Sequence, residues 1–328
     1  MRNILLLLFI FICSNSLFAK ETYKRTLLLM GSRFDITLIA NDSVQASKYI
    51  DIAINEISRI ESLISSWDSN SETSLINENA GIKPVPVSKE LMDLIERCIT
   101  LSRLTDGAFD ITFASMDKIW YFDGSMTRLP SQKDIDAAIQ KIAYQDMLIN
   151  KENNTIFLKK KGMKIGFGGI GKGYAADMAK KKLIDEGVTA GIINASGDLC
   201  TWGKQKNGQD WKVAITNPLN KAKAFALIPV VNGAVVTSGS YEKFVQFNGK
   251  RYSHIIDPRT GYPSQGIISV TVFAPQAELA DALATSIFVM GIEVGINRIN
   301  QLKKVECIII DELGKVHTSD NIDISSYE

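Results

Sequence analysis

The stretch Gly166-Phe-Gly-Gly-Ile-Gly-Lys-Gly173 puts five glycines and one lysine into eight residues. Without Cβ atoms, such a segment lets backbone N–H groups approach a ligand or a neighbouring chain closely. It runs directly into a helical pattern, Tyr174-Ala-Ala-Asp177-Met-Ala-Lys, that ends near Gly187. A glycine-rich turn at a helix N-terminus suits an anion, because unpaired N–H groups and the helix dipole both favour negative charge there. The same pattern also makes a strand-to-helix connection that holds no ligand. It is not a Walker-type loop: Ile170 separates the glycines and no Ser or Thr follows Lys172. The rest of the chain has to decide what this helix start is brought against.

A chain of 328 residues is long enough for a large core. Its net charge of +1 gives no electrostatic case for nucleic acid. Residues 1–19 read as a secretory signal peptide: Met1-Arg2-Asn3, then an apolar run from Ile4 to Ile12, then a polar-to-small segment ending at Ala19. The apolar run is too short to span a bilayer. Ile12 precedes Cys13 where lipid modification wants a small residue, which favours a soluble exported, periplasmic protein over one anchored to the inner membrane through Cys13. Cys98, Cys200 and Cys307 are widely spaced and odd in number, so they read as buried thiols. Two histidines, His254 and His317, are too few for a histidine-based metal site.

Residues 26–40 read as extended, with a bulge or a hairpin turn at Gly31. Asn41-Asp42-Ser43 offers caps to a long amphipathic helix marked by Ala46, Ile50, Ala53, Ile57, Ile60 and Ile64. It stops at a polar loop holding Trp67, a residue that either closes the core or forms a platform for a planar ligand. Ser88 caps a second helix, and Asp106-Gly107 turns the chain after it. Beyond the glycine-rich stretch come a buried strand at 190–193, several short strands between 211 and 273, a helix at 279–290 stopped by Gly291, a helix at about 294–303 and an apolar strand at 305–310. Helices and strands intermix without strict βαβ alternation. That predicts an α+β protein of antiparallel sheets packed with helices, folded as one compact unit.

Two clusters suggest chemistry. Asp281 and Thr285 lie four apart on one face of an otherwise apolar helix. They either mark its exposed stripe or form a hard oxygen site suited to Mg2+ when phosphate oxygens supply the other ligands. Ser253-His-Ile-Ile-Asp-Pro-Arg-Thr-Gly261 is a turn sequence that also carries a histidine able to act near neutral pH and an arginine able to neutralise phosphate.

Six segments occur in order: Met30-Gly-Ser32, Asp106-Gly-Ala-Phe-Asp110-Ile-Thr, Gly168-Gly-Ile-Gly-Lys-Gly-Tyr-Ala-Ala-Asp177, Thr237-Ser-Gly-Ser240-Tyr, Ser253-His-Ile-Ile-Asp-Pro-Arg-Thr-Gly261 and Ala280-Asp-Ala-Leu-Ala-Thr285. Together they resemble the ApbE family, the FAD:protein FMN transferases, over nearly all of residues 20–328. The resemblance implies a T-fold-like α+β core in an exported or lipid-anchored protein. It implies that FAD and Mg2+ bind, that FMN is joined through its phosphate to a threonine hydroxyl of an acceptor protein, and that AMP leaves. Typical acceptors are subunits of membrane redox complexes. By position, Met30, Trp67, Ala108, Phe109, Asp110, Lys172 and Ile256 match FAD contacts. Asp281 and Thr285 match the metal-binding pair, and Gly169 matches the position whose carbonyl completes it. His254 matches a histidine with a catalytic role, beside Asp281. Gly166 departs from the pattern, standing where many relatives carry Asp. The same site would serve FAD hydrolysis to FMN and AMP, and a periplasmic FAD-binding protein without catalysis is the alternative outside enzymes.

Overall fold

The computed structural model of the chain describes residues 20–216, 224–240 and 243–322. The predicted export segment 1–19, with Cys13, lies outside the described residues. The elements begin with β1 (Glu21–Leu29), β2 (Ser32–Ala40), α1 (Ser43–Ile64), α2 (Glu72–Glu78), β3 (Val85–Pro86) and α3 (Lys89–Leu104). A 3-10 turn at Ile111–Ser115 leads to α4 (Gln132–Ile139), β4 (Met147–Asn150), β5 (Thr155–Leu158) and α5 (Gly171–Asp185). Then follow β6 (Gly191–Ala195), β7 (Asp198–Trp202), β8 (Trp211–Thr216), β9 (Ala224–Val230), β10 (Ala234–Gly239), β11 (Phe244–Phe247) and β12 (Lys250–Ser253). The chain closes with β13 (Ile267–Ala274), α6 (Ala277–Met290), α7 (Ile292–Asn300), β14 (Glu306–Asp311) and β15 (Val316–Thr318).

The extended segment at 26–40 is a hairpin. Met30 and Gly31 take the left-handed conformation (φ 50° and 65°) that a two-residue turn between twisted strands requires. It starts an eight-stranded sheet of order β1-β2-β6-β7-β10-β13-β14-β15, antiparallel at every pairing. Helices α1, α5 and α6 lie side by side on one face, α1 over β2, α5 over β6 and β7, and α6 over β10 and β13. The β8–β9 hairpin supplies Val213, Ile215, Ile228 and Val230 to an apolar cluster with Val235 and Ile308 of the main sheet.

Local signals explain the long helices. The Asp42 side chain accepts the Gln45 N–H and caps α1, whose predicted apolar stripe is buried in full. Each such isoleucine stabilises the fold by about 2 kcal/mol on burial. The two large core clusters are contiguous, since Leu104 and Leu279 pack against both. Among the described residues no helix is long and apolar enough to cross a membrane. Cys98, Cys200 and Cys307 are buried free thiols, as their apolar surroundings predict.

Candidate active site at the crossing of two helices

The glycine-rich stretch ends inside the first turn of α5, and α6 crosses it there. Neither helix is capped by its own N-terminal residue: Ile170 and Gln276 make no side-chain cap. Each helix caps the other instead. Asp281 of α6 accepts the Gly173 N–H through Oδ2 at 3.2 Å, and Asp177 of α5 accepts the Glu278 N–H through Oδ2 at 2.9 Å. Unpaired N–H groups of both first turns are thus satisfied by carboxylates, which the helix dipoles also favour. Gly173 permits this approach, because a Cβ there would lie 2.3 Å from the Ala277 carbonyl oxygen. The start of α6 is held further by Arg97, whose Nε donates to Glu278 Oε1 at 2.6 Å. Tyr174 lies under the Arg97 guanidinium and donates its hydroxyl to Glu90 at 2.8 Å.

Charge is concentrated at this crossing. Lys172 donates to Asp198 Oδ2, and Asp198 is 2% exposed. Asp281 is 4% exposed, which excludes the exposed-stripe reading of the Asp281–Thr285 face. Burial raises the pKa of Asp281, and the neighbouring Asp198 raises it further against the pull of Lys172 and the Gly173 N–H. Burial likewise raises Asp198, offset by Lys172. For Lys172, burial opposes the charged form, but Asp198 and Asp281 outweigh it and hold the ammonium above its ordinary value. Two buried carboxylates share one lysine, so the cluster has room for more positive charge.

Several of the sequence-predicted residues meet here. A Cβ on Gly169 would lie 3.5 Å from Thr285 Oγ1 and 3.7 Å from the Phe109 ring. Met30 reaches the same wall, its Cε 3.9 Å from the Cβ position of Gly171. Ala108 and Phe109 are buried in the turn after α3, and the Phe109 N–H is held by Thr105 Oγ1 at 3.0 Å. The Asp110 carboxylate is committed to structure: Oδ1 accepts from the Thr112 N–H and hydroxyl, both at 2.7 Å, and Oδ2 from the Tyr144 N–H at 3.0 Å. Burial raises the Asp110 pKa, and these bonds oppose the rise. Trp67 is 95% exposed, so it does not close the core. Its loop borders the glycine-rich stretch, where Ser66 Oγ lies 4.0 Å from the Cβ position of Gly166.

The remaining two residues lie on another element. His254 follows β12, with its Nδ1 3.1 Å from the Lys243 carbonyl oxygen and Phe122 edge-on at 6.5 Å. A carbonyl partner requires the proton on Nδ1, which assigns the neutral ring its lone pair at Nε2. Ile256 bridges to Pro263, closing the Asp257–Gly261 turn, and Arg259 of that turn packs beside Gly107. A cleft of about 280 Å³ separates the two turns, lined by Asp106, Asp110, Tyr144 and Arg259 among others.

Asp198 was not expected from the sequence. Strand β6 ends at Ala195 and turns back at once through Ser196 (φ 55°) and Gly197 (φ 104°), and β7 begins at Asp198. The signal was present as alternation in Asp198-Leu-Cys-Thr-Trp after a Ser-Gly turn. The exchange of caps by Asp177 and Asp281 was also missed, because residues over one hundred positions apart reveal no pairing by spacing.

Fold and site together define an α+β protein with a glycine-walled helix crossing that gathers buried charge. A sequence model of the ApbE family matches residues 30–309. An FAD:protein FMN transferase of Klebsiella pneumoniae (strain 342) is 31% identical over 292 residues, covering 88% of this chain and 89% of that protein. The solved ApbE protein of Thermotoga maritima superposes with a TM-score of 0.83 at 30% identity, over 94% of this chain and 99% of that one. The flavin transferase ApbE from Vibrio cholerae gives a TM-score of 0.80 at 26% identity, over 94% and 100%. The chain belongs to the ApbE family.

Proposed function

We propose that this chain is an FAD:protein FMN transferase, as its relatives are named, which joins FMN to an acceptor threonine in the presence of Mg2+ and releases AMP. The observation that carries the reading is the Lys172–Asp198–Asp281 cluster, two buried carboxylates and a partly exposed lysine, at a glycine-walled helix start beside Thr285. A nucleotide pyrophosphate calls for close backbone approach, a lysine and a hard cation, and phosphoryl transfer rests on positioning and charge neutralisation.

The residues fit the metal. Asp281 is a buried carboxylate raised in pKa by burial and further by a second carboxylate, and Thr285 Oγ1 lies 3.5 Å from the Cβ position of Gly169. Among the described residues no group of three or more His, Cys, Asp or Glu side chains could hold a metal ion by itself, so the proposed ion depends on phosphate oxygens for its other ligands. Asp281, Thr285 and the Gly169 carbonyl would hold Mg2+, which when bound supplies charge neutralisation at the phosphates.

The chain's own residues divide the remaining work. Lys172 binds the pyrophosphate, and Met30, Phe109 and the exposed Trp67 offer apolar and aromatic surface to the flavin. His254 accepts the threonine proton at Nε2 as the threonine Oγ bonds to the FMN phosphorus. The bond from that phosphorus to the AMP oxygen breaks, and AMP leaves with the electron pair. Export to the periplasm and acceptors among subunits of membrane redox complexes belong to the same proposal, supported by the charged-then-apolar pattern of residues 1–19.

The test is to incubate the chain with FAD, Mg2+ and a threonine-bearing acceptor domain and to measure the acceptor's intact mass. An FMN adduct is expected. Free FMN and AMP without adduct would make the chain an FAD pyrophosphatase, and unchanged FAD would make it a binding protein.

A further inference from the structure

The crossing of α5 and α6 is a ladder of contacts at four-residue steps, and Asp177 holds the end of it that the proposed reaction does not use. Residues four apart on a helix share a face. From Gly169 into α5 the steps fall at Gly169, Gly173 and Asp177, and back along α6 they fall at Thr285, Asp281 and Ala277. At the first step the Cβ position of Gly169 is 3.5 Å from Thr285 Oγ1. At the second the Gly173 N–H donates to Asp281 Oδ2 at 3.2 Å. At the third Asp177 Oδ2 accepts the Glu278 N–H at 2.9 Å, and the Ala277 N–H faces the same carboxylate. The three groups assigned to Mg2+ belong to the first two steps, and Asp177 is not among them.

A single hydrogen bond between two helices leaves a pivot. The Gly173–Asp281 bond alone would let α6 swing about that point. Such a swing moves Thr285, which lies about 6 Å further along the helix axis, against Gly169. Gly169 and Gly173 carry no side chains to resist it. A second bond on the far side of the pivot removes the freedom, and Asp177 supplies it, because Gln276 makes no side-chain cap of its own. The grip has a firm footing: the Glu278 carboxylate also receives Arg97 of α3, through Nε at 2.6 Å and Nη2 at 3.1 Å. Magnesium demands near-ideal octahedral geometry, so a small swing of one ligand against another is costly to its binding.

We infer that Asp177 is a positioning residue, which fixes the swing of α6 against α5 and thereby sets Asp281, Thr285 and the Gly169 carbonyl at the separations a cation needs. The inference rests on the reading of those three groups as the Mg2+ site. Asp177 acts through the backbone of α6 and is not itself a ligand.

The test compares the full-length chain with Asp177→Ala and Asp177→Asn, the second of which keeps an acceptor oxygen for the Glu278 N–H. Without metal or flavin, amide exchange at Gly173 should quicken about five-fold in Asp177→Ala, the worth of one lost cap, and stay as in the wild type in Asp177→Asn. With FAD present, Mg2+ is titrated and FAD affinity followed by calorimetry. The Mg2+ concentration giving half the gain in affinity should rise about ten-fold in Asp177→Ala, as when an outer partner of a metal ligand is lost, and return to within about two-fold of the wild type in Asp177→Asn. Metal-free FAD affinity should be unchanged in both variants and reports that they fold. Ile156→Val, which deletes one buried methyl group in the separate three-stranded sheet, is the control for general loosening and should leave the Mg2+ titration unmoved. A Mg2+ titration in Asp177→Ala that matches the wild type would overturn the inference alone, as would a metal-free FAD affinity that falls by the same factor. A wild type whose FAD affinity ignores Mg2+ would overturn the metal reading and the inference with it.

Discussion

The helix crossing and the β11–β12 hairpin are built by opposite means. At the crossing, α5 and α6 rest on the eight-stranded sheet, exchange caps through Asp177 and Asp281, and bury two carboxylates beside a half-buried lysine. The hairpin is a separate two-stranded sheet, held by Trp120 stacking on Tyr252 and by the Trp120 Nε1 bond to the Gly261 carbonyl at 2.9 Å. A two-stranded sheet is marginal alone and yields more readily than a packed core. Rigid, dehydrated charge suits a nucleotide and a cation whose shape never varies. A peripheral hairpin suits a partner that must arrive, align one hydroxyl and leave. His254 directly follows the second, and Lys172 and Asp281 stand on the first.

This contrast breaks first at Asp281. Asp281→Ala should lower FMN transfer about 1,000-fold, since a metal's charge stabilisation is worth several kcal/mol. Its melting temperature without metal should hold or rise, because the burial that raises the Asp281 pKa is a cost of its ionised form. A variant that transfers at full rate removes Asp281 from the site. Next in size, Gly173→Ala forces a Cβ to within 2.3 Å of the Ala277 carbonyl. It should cost about 3 kcal/mol in denaturant unfolding and weaken FAD binding with it. An unperturbed unfolding midpoint would show that the two helices have room to part.

A third effect depends on pH. Burial pushes Asp177 up to about 6, opposed by the N–H groups of Glu278 and Ala277. A raised carboxyl pKa means that the folded state keeps a proton the unfolded chain has lost, so this contribution is full below pH 4 and fades as pH rises through 6. Relative to Asp177→Asn, the wild type should therefore lose about 2 kcal/mol between pH 4 and pH 7, discounting for partial exposure. A stability gap that is flat with pH would show that Asp177 is ionised across the range. The smallest effect belongs to the hairpin. Tyr252→Ala removes the stacking on Trp120, worth about 1 kcal/mol. Amide exchange should quicken in β11 and β12 while the global unfolding midpoint barely moves. Equal loss of protection in α5 and α6 would mean that the two regions are one cooperative unit.

What the sequence disclosed follows the same division. Period and capping made α1 legible, because Asp42 and the isoleucine stripe act within a few residues of each other. The α+β class, the β8 and β13 strands and the end of α6 at Gly291 were legible for the same local reasons. Helix α2 was missed because Glu72-Thr-Ser-Leu-Ile-Asn-Glu78 is polar, short and defined mainly by its Ser71 cap and by packing. Strand β7 was missed because its turn is only two residues long. Ordered motifs named the family and brought Lys172, Asp281 and Thr285 forward, but not Asp198, whose role exists only once β7 lies beside the start of α5.

In the proposed reaction the crossing binds nucleotide and metal while the hairpin side, with His254, serves the acceptor. Calorimetric titration of FAD, with and without Mg2+, into the wild type, Asp281→Ala and His254→Ala, paired with intact-mass measurement of the acceptor, tests it most directly. His254→Ala should bind FAD as the wild type does yet leave the acceptor unmodified, whereas Asp281→Ala should lose the gain in FAD affinity that Mg2+ brings. Impaired FAD binding in His254→Ala together with an undiminished Mg2+ effect in Asp281→Ala would contradict it.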